Sequence, residues 1–448
     1  MPLKYKFIIP LLALITASGK LFAQDSTLAG TTIKWDLVKC IDYAKKNNIR
    51  INSLRLAQLT SQQEYLLAKA SRLPNLSGSA TQDFAHANTN NGNNSVRSSP
   101  GFTASGSYGL NSSVTLYNGN YINNTILQKN LAVQSANLSV IQQENDVTLQ
   151  ITQTYLAILL DKENIIYDTD LANTTLAQVK LQQQRYNAGS IARKDLIQFQ
   201  AQQAADQYLL VTAKNTERSD LLTLKQLLLL QSDVNFDIVK PDTIAPIDSV
   251  MAFSNVEQIA LTSRPEIKNG ELGVKIARYD VDKAMAGYKP SLTAGASIGS
   301  GYNSGQGRLF PGQLNNNFTQ QLGFTLAVPI FTKRIVKTQV EEAKIAIDQA
   351  QLNLKNTKIT LSQTVERAFI NVENAKSQYN AALEEYKFSQ ESYRIASEQL
   401  KVGVANTVDF LLQKTLFVQA QQAFIQSKYN ELLTLKIYDF YRGIPIKL

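Results

Sequence analysis

The chain has few of the side chains on which catalysis and metal binding depend. Its 448 residues include one histidine, His86, one cysteine, Cys40, one tryptophan, Trp35, and three methionines. It shows no Ser-His-Asp, HExxH or phosphate-loop pattern, and no Met or His cluster for a soft metal. Enzymatic activity is therefore not expected, nor a cofactor or metal. A lone cysteine cannot form an intrachain disulfide, and Cys40 reads as a small buried hydrophobe. No apolar run reaches the roughly 20 residues of a helical bilayer span. Charge of one sign is not concentrated either. Of the net +9, Lys4, Lys6 and Lys20 lie in the N-terminal leader, and the remaining +6 is spread among many Asp and Glu. With no dense basic cluster and no interleaved aromatics, nucleic-acid binding has no support.

The leader has the form of a secretory signal. Lys4 and Lys6 precede an apolar core from Phe7 to Ala17, and small residues lead to Phe22-Ala23-Gln24. Cleavage after Ala23 is expected, giving a signal peptide over 1–23 and an exported mature chain.

The strongest internal feature is a duplication. Pro74 opens LPNLSGSA and Pro290 opens KPSLTAGA, while RYNAGSIARKDLI answers QLKVGVANTVDFLL. Gly189 meets Gly403 and Asp195 meets Asp409, both 214 residues apart. That period is too long for a solenoid unit and marks a repeated half-module. The expected organisation is a first repeat over 24–232, a linker over 233–253 and a second repeat over 254–448, each with a helix, two strands and a long helical hairpin.

Period-two patterning locates the strands. From Phe102 to Leu116 the even positions read Phe, Ala, Gly, Tyr, Leu, Ser, Val, Leu, against Thr, Ser, Ser, Gly, Asn, Ser, Thr on the odd face. Phe318 to Ile330 repeats the alternation; Leu76–Phe84 and Leu292–Tyr302 show it more weakly. Polar, Gly/Asn-rich stretches at 86–101, which includes His86, and at 303–317 read as long loops. Strands of about 9–11 residues with one apolar and one small polar face match a transmembrane β-barrel wall. Phe84, Phe102, Tyr108, Tyr117, Tyr302, Phe318 and Phe331 are candidates for its aromatic girdles. Soluble hairpins resting on a helical core are the other reading of the same alternation. Four strands do not close a barrel, whose smallest size is about eight, so a spanning wall requires several chains.

Two tracts, Gly119 to about Tyr186 and Lys333 to about Lys401, lack proline and turn signals. At about 1.5 Å per residue each forms a rod of about 100 Å, too long for a compact domain. Val365, Ala368, Val372, Ala375, Tyr379, Ala382 and Tyr386 step by three and four, the seam of a left-handed coiled coil. Each rod ends at its repeated glycine and returns as a shorter helix. Helices over Trp35–Ser71 and Val256–Gly287 are expected to stack end to end on those returning helices.

In this order the chain resembles the TolC family of outer-membrane efflux proteins. The resemblance runs through the mature sequence: helix, L-P-x-L strand, second strand ending at Val328-Pro329-Ile330-Phe331, long helix, glycine tip and return helix, all twice. It implies a mainly α fold with a small β part, in which duplicated coiled-coil hairpins form an α-barrel. Four transmembrane strands per chain would join a shared twelve-stranded barrel in a homotrimer set in outer-membrane lipid, with a long periplasmic extension. It also implies a periplasmic adaptor protein and an inner-membrane transporter as partners, the chain serving as exit duct for efflux or type I secretion. A secreted or periplasmic coiled-coil scaffold without a barrel is the alternative. By the same resemblance the periplasmic gate lies at the tips, placing Arg193, Lys194 and Asp195 at the first and Leu400, Ala405, Asp409 and Leu412 at the second. Family members carry Tyr, Arg, Asp and Asp at these last four places, so Asp409 alone matches. Three Asp409 carboxylates would form an acidic ring favouring cations; equally, Asp195 and Asp409 can cap the returning helices. Gly189 and Gly403 read as left-handed helix terminators, and the resemblance makes them the adaptor-docking turns.

Overall fold

The structure is a computed structural model that describes residues 32–87, 101–241, 250–306 and 309–447. The leader with its cleavage position, most of the first polar loop and part of the linker lie outside the described residues. The duplication is carried into the elements themselves. Two 67-residue helices, α3 (Tyr121–Asn187) and α8 (Ile335–Lys401), each return through a 35-residue helix, α4 (Arg193–Leu227) and α9 (Thr407–Tyr441). The helical segments expected before each first strand are broken in two. In the first repeat they form α1 (Leu37–Asn47) and α2 (Ile49–Ala70), and in the second α5 (Phe253–Ser263) and α6 (Pro265–Met285). Asn48 makes the first break, its Oδ1 accepting from Arg50 N and Ile51 N, so it ends α1 and caps α2. In the second repeat Pro265 occupies the first turn of α6, where a missing N–H is harmless. Trp35 does not begin a helix as expected. It closes a short strand, β1 (Ile33–Trp35), which pairs in parallel with β4 (Phe236–Ile238) from the segment read as a linker. The Tyr155 hydroxyl binds this joint by donating to Val239 O at 2.6 Å.

The core sits where each rod passes this joint. One cluster joins Trp35, Leu37, Cys40 and Ile41 to Ile151, Ile158 and Leu159 of α3 and to Leu224 and Leu228 at the end of α4. The second joins Val256 and Ala260 of α5 to Val365, Ala368 and Val372 of α8 and to Tyr438 of α9. Ile151 and Val365, like Ile158 and Val372, stand at the repeat spacing, so the two cores are equivalents. The seam has the spacing read from the sequence. Val365, Ala368, Val372, Ala375 and Ala382 are buried, with Tyr379 and Tyr386 half-buried.

Further down the hairpin, aromatic rings from the two helices alternate in a ladder. Tyr379, Tyr386 and Tyr393 of α8 interleave with Phe424, Phe417 and Phe410 of α9, adjacent centroids 5.0–5.9 Å apart. Seven-residue steps on both helices keep each ring in the same relation to its neighbours.

Opposite the tips, β2 (Ser77–Ala87), β3 (Gly101–Asn118), β5 (Ser291–Asn303) and β6 (Thr319–Ala327) form one antiparallel sheet in the order β2-β3-β5-β6. The register collects the apolar residues on one face: Leu110 stands opposite Ile298, Ala294 opposite Phe324 and Phe84 opposite Ala104. Ser79, Thr81, Ser107, Thr293, Thr325 and their neighbours form the other face. A bulge between Thr115 and Tyr117 turns Tyr117 onto the apolar face beside Leu292. His86, expected in the loop, lies exposed near the end of β2 opposite Phe102. The second polar connection also departs from expectation, since Phe310–Asn316 forms a helix, α7.

Left-handed backbone recurs at the repeat spacing. Gly119 and Asn120, which enter α3, correspond to Lys333 and Arg334, which enter α8, all with positive φ. A Cβ on Gly119 would come within 2.9 Å of Ala286 O, so glycine is required there.

Candidate functional site: the hairpin tips and the core above them

Both tips end in the same hydrogen-bonded terminator. At the first, Ser190 N donates to Arg185 O at 2.8 Å and Gly189 N to Tyr186 O at 2.9 Å. At the second, Val404 N donates to Gln399 O at 2.9 Å and Gly403 N to Leu400 O at 3.3 Å. This is the Schellman pattern, and it needs the left-handed φ of +72° at Gly189 and +78° at Gly403. Nothing lies within 4 Å of where either Cβ would be, so backbone conformation, not crowding, selects glycine.

Arg193 and Lys194 open α4 and are exposed; Asp195 is half-buried in its first turn. Leu400 lies one residue before the end of α8 and packs inward against Phe199, Ala396 and Phe410. Ala405 is half-buried, and Leu412 exposed. Asp409 is held at the helix start. Asn406 Oδ1 accepts from Asp409 N at 2.8 Å, capping α9, and Asn406 Nδ2 donates to the Asp409 carboxylate at 2.6 Å, a second, side-chain bond that holds the carboxylate against the cap. Among the described residues no ion pair connects Arg193, Lys194, Asp195 or Asp409 to the opposite hairpin. The tips of one chain meet instead through the apolar contact of Phe199 with Phe410, centroids 5.9 Å apart.

Just above that contact lies a polar core that the sequence reading missed. Lys414 of α9 and Asp206 of α4 have side chains 0% and 1% exposed and pair at 2.6 Å. Thr175 of α3 bonds to both, and Gln202 Nε2 donates to the second Asp206 oxygen at 2.8 Å. Burial draws the Lys414 ammonium below its ordinary value, while Asp206 opposes that shift. A signal was present: Lys414 continues the buried Phe410–Val418 stripe, and Asp206 the Leu196–Phe199–Leu210 stripe, so two opposite charges occupy core positions.

A second buried carboxyl lies at mid-rod. Asp161 of α3 faces Asp220 and Glu217 of α4, and its Oδ2 meets no ordinary donor. Lys162 is committed elsewhere, to Glu217 at 2.7 Å and Asp237 at 2.8 Å. Burial first, and then Asp220, push Asp161 up to about 7, so the two carboxyls bond only when one holds a proton. A carboxyl raised in the folded state contributes stability in full below its unfolded value and loses it as pH rises through the folded one. The melting temperature is thus expected to fall between pH 5 and pH 8, and Asp161→Asn to flatten that decline by an equivalent of roughly 2–4 kcal/mol. Melts of both proteins at the two pH values check this; parallel profiles would dismiss the shared proton.

Burial likewise pushes the Cys40 thiol up to about 12, consistent with an inert core residue. No group of three or more His, Cys, Asp or Glu is arranged to hold a metal among the described residues.

Comparison with known proteins places these features together. Residues 256–435 match the outer membrane efflux protein family. The alkaline protease secretion protein AprF of Pseudomonas aeruginosa is 23% identical over 193 residues, 42% of this chain and 39% of AprF. That alignment spans about two-fifths of the relative's length. Among solved structures, CusC superimposes with a TM-score of 0.78 at 16% identity, covering 92% of this chain and 93% of CusC. The CmeC outer membrane channel of Campylobacter jejuni gives 0.76 at 20% identity, covering 89% and 84%. The rods, tips and sheet thus share the fold of these solved outer-membrane channel structures. The match to the outer membrane efflux protein family falls within the second repeat.

Proposed function

We propose that the protein is the outer-membrane channel and periplasmic exit duct of a tripartite efflux or type I secretion system. One observation carries this reading: a four-stranded sheet, apolar on one face and unpaired along β2 and β6, stands on rods about 100 Å long. Such a sheet leaves two edges open to another chain. Three copies joined edge to edge give twelve strands, with lipid against the apolar face and water against the Ser/Thr/Gly face. The long hairpins, completed by α1–α2 and α5–α6, then continue the wall as a helical tunnel. A secreted scaffold would leave Leu322, Phe324 and Leu326 exposed to water for no purpose.

The half-modules 24–232 and 254–448 would supply alternate hairpins around the axis. At the tips, Gly189 and Gly403 shape the turns offered to a periplasmic adaptor, and the exposed Val402, Val404 and Val408 add an apolar docking patch. Arg193, Lys194, Asp195, Leu400, Ala405, Asp409 and Leu412 belong to the constriction, with three Asp409 carboxylates as its cation-favouring ring.

Single-channel conductance of the detergent-purified protein in a planar bilayer, beside Asp409→Ala, tests this. Discrete cation-preferring openings that lose their preference in the variant are expected. Openings indifferent to Asp409 would keep the duct and move its constriction elsewhere. Solubility without detergent, together with no insertion, would return the scaffold reading.

A further inference from the structure

The wall proposed above does not account for α7. β6 begins at Thr319, opposite Gly299, so the last four residues of β5 have no strand on that side. α7 and its flank occupy the gap. Asn303 N donates to Gln313 Oε1 and Asn317 Nδ2 to Gly301 O, both at 2.7 Å, and the Ser300 hydroxyl donates to Leu314 O. The side on which α7 lies is fixed by Tyr302. Its ring crosses Gly106 on the apolar face and its hydroxyl donates to Gln82 Oε1 at 2.7 Å. Phe310 stands edge-on to that ring, centroids 4.7 Å apart at 78°. α7 therefore caps the strand edge and also extends the apolar face.

The side chains it turns outward continue that face. Leu309 is 85% exposed and Phe310 46%, and Phe318, Leu322 and Phe324 follow along β6. Gln313 is turned in to the strand edge, while Asn315, Asn316 and Asn317 supply an exposed amide flank. Apolar groups beside uncharged polar ones, next to a tyrosine and phenylalanines at the end of a lipid-facing strand, suit the zone between headgroups and acyl chains.

We infer that α7 is an interfacial foot: Leu309 and Phe310 insert at the headgroup–acyl boundary of the outer leaflet, sealing the outer end of β5 and fixing the height of the barrel rim. This rests on the channel reading, since it needs the apolar face to meet lipid.

The test uses the full-length protein in phosphatidylcholine–phosphatidylglycerol vesicles. Leu309→Cys, Leu322→Cys and Val404→Cys variants carry a nitroxide label, which the buried Cys40 does not take up. Accessibility to oxygen is then compared with accessibility to a water-soluble nickel chelate. Labels at 309 and 322 are expected to favour oxygen several-fold relative to the tip label at 404. An oxygen-rich label at 322 with a chelate-accessible label at 309 would put α7 in water and overturn the inference alone. A label at 309 shielded from both agents would seat α7 on a neighbouring chain, overturning it equally. A chelate-accessible label at 322 would overturn the channel reading, and the foot with it.

Discussion

Asp206→Ala is expected to destabilise the protein by about 3–5 kcal/mol, the cost of leaving a buried charge without its partner. Lys414 has no exposed side-chain surface, so its ammonium would keep only the Thr175 hydroxyl. The paired variant Asp206→Leu/Lys414→Met removes both charges at similar volume, and such replacements are near neutral or stabilising by about 1–4 kcal/mol. Denaturant melts of the two variants in detergent give the comparison. A loss under about 1 kcal/mol for Asp206→Ala would mean that water reaches the pair. The pair then contributes less to net stability than to specifying how α4 and α9 lie against each other, because only one axial register brings these side chains together.

Val372→Asp is the other change of large effect. Val372 is 2% exposed at the seam between α8 and the α5–α9 core, packed among apolar side chains that do not solvate a carboxylate. A loss of about 4 kcal/mol or more is expected, enough to abolish folded protein. Asn374→Asp, two residues away on the exposed side of the same helix, changes the charge by the same amount and is expected to leave the melt unaltered. Circular dichroism and native electrophoresis of both variants make the check. Equal losses would deny that burial on the seam governs this helix.

Much of the architecture was legible because it rests on periodicity. A step of three and four placed Val365 to Tyr386 on a seam, alternation placed Phe102 to Val114 and Leu322 to Leu326 on a face, and one repeated glycine marked each tip. Local chemistry was also readable but was passed over: Asn48 has the form of a cap, and Arg264-Pro265 that of a helix start. What stayed hidden depends on partners distant in sequence. β1 is three residues long and is a strand only because β4, about 200 residues on, lies beside it. α7 forms inside an Asn/Gly-rich connection where the free edge of β5 donates to Gln313 of α7 and accepts from Asn317 just beyond it. The tip residues were legible in place but not in posture. Nothing in the order Asn406, Thr407, Val408, Asp409 distinguishes a carboxylate facing a pore from one closing a cap, whereas the hydrogen bonds to Asn406 describe the cap directly.

The aromatic ladder has a consequence for how such a duct would yield. Counted back by the repeat, Tyr379, Tyr386 and Tyr393 become Ile165, Ala172 and Val179, and Phe424, Phe417 and Phe410 become Leu210, Gln203 and Leu196. The hairpins match in length but not in packing, and flat interleaved rings are expected to resist sliding more than aliphatic and amide groups do. A ring of six such hairpins would look sixfold in outline and respond to force as threefold, with three rigid staves alternating with three compliant ones. Dilation of the periplasmic mouth would then begin in the first hairpin of each chain, while the second kept the staves upright.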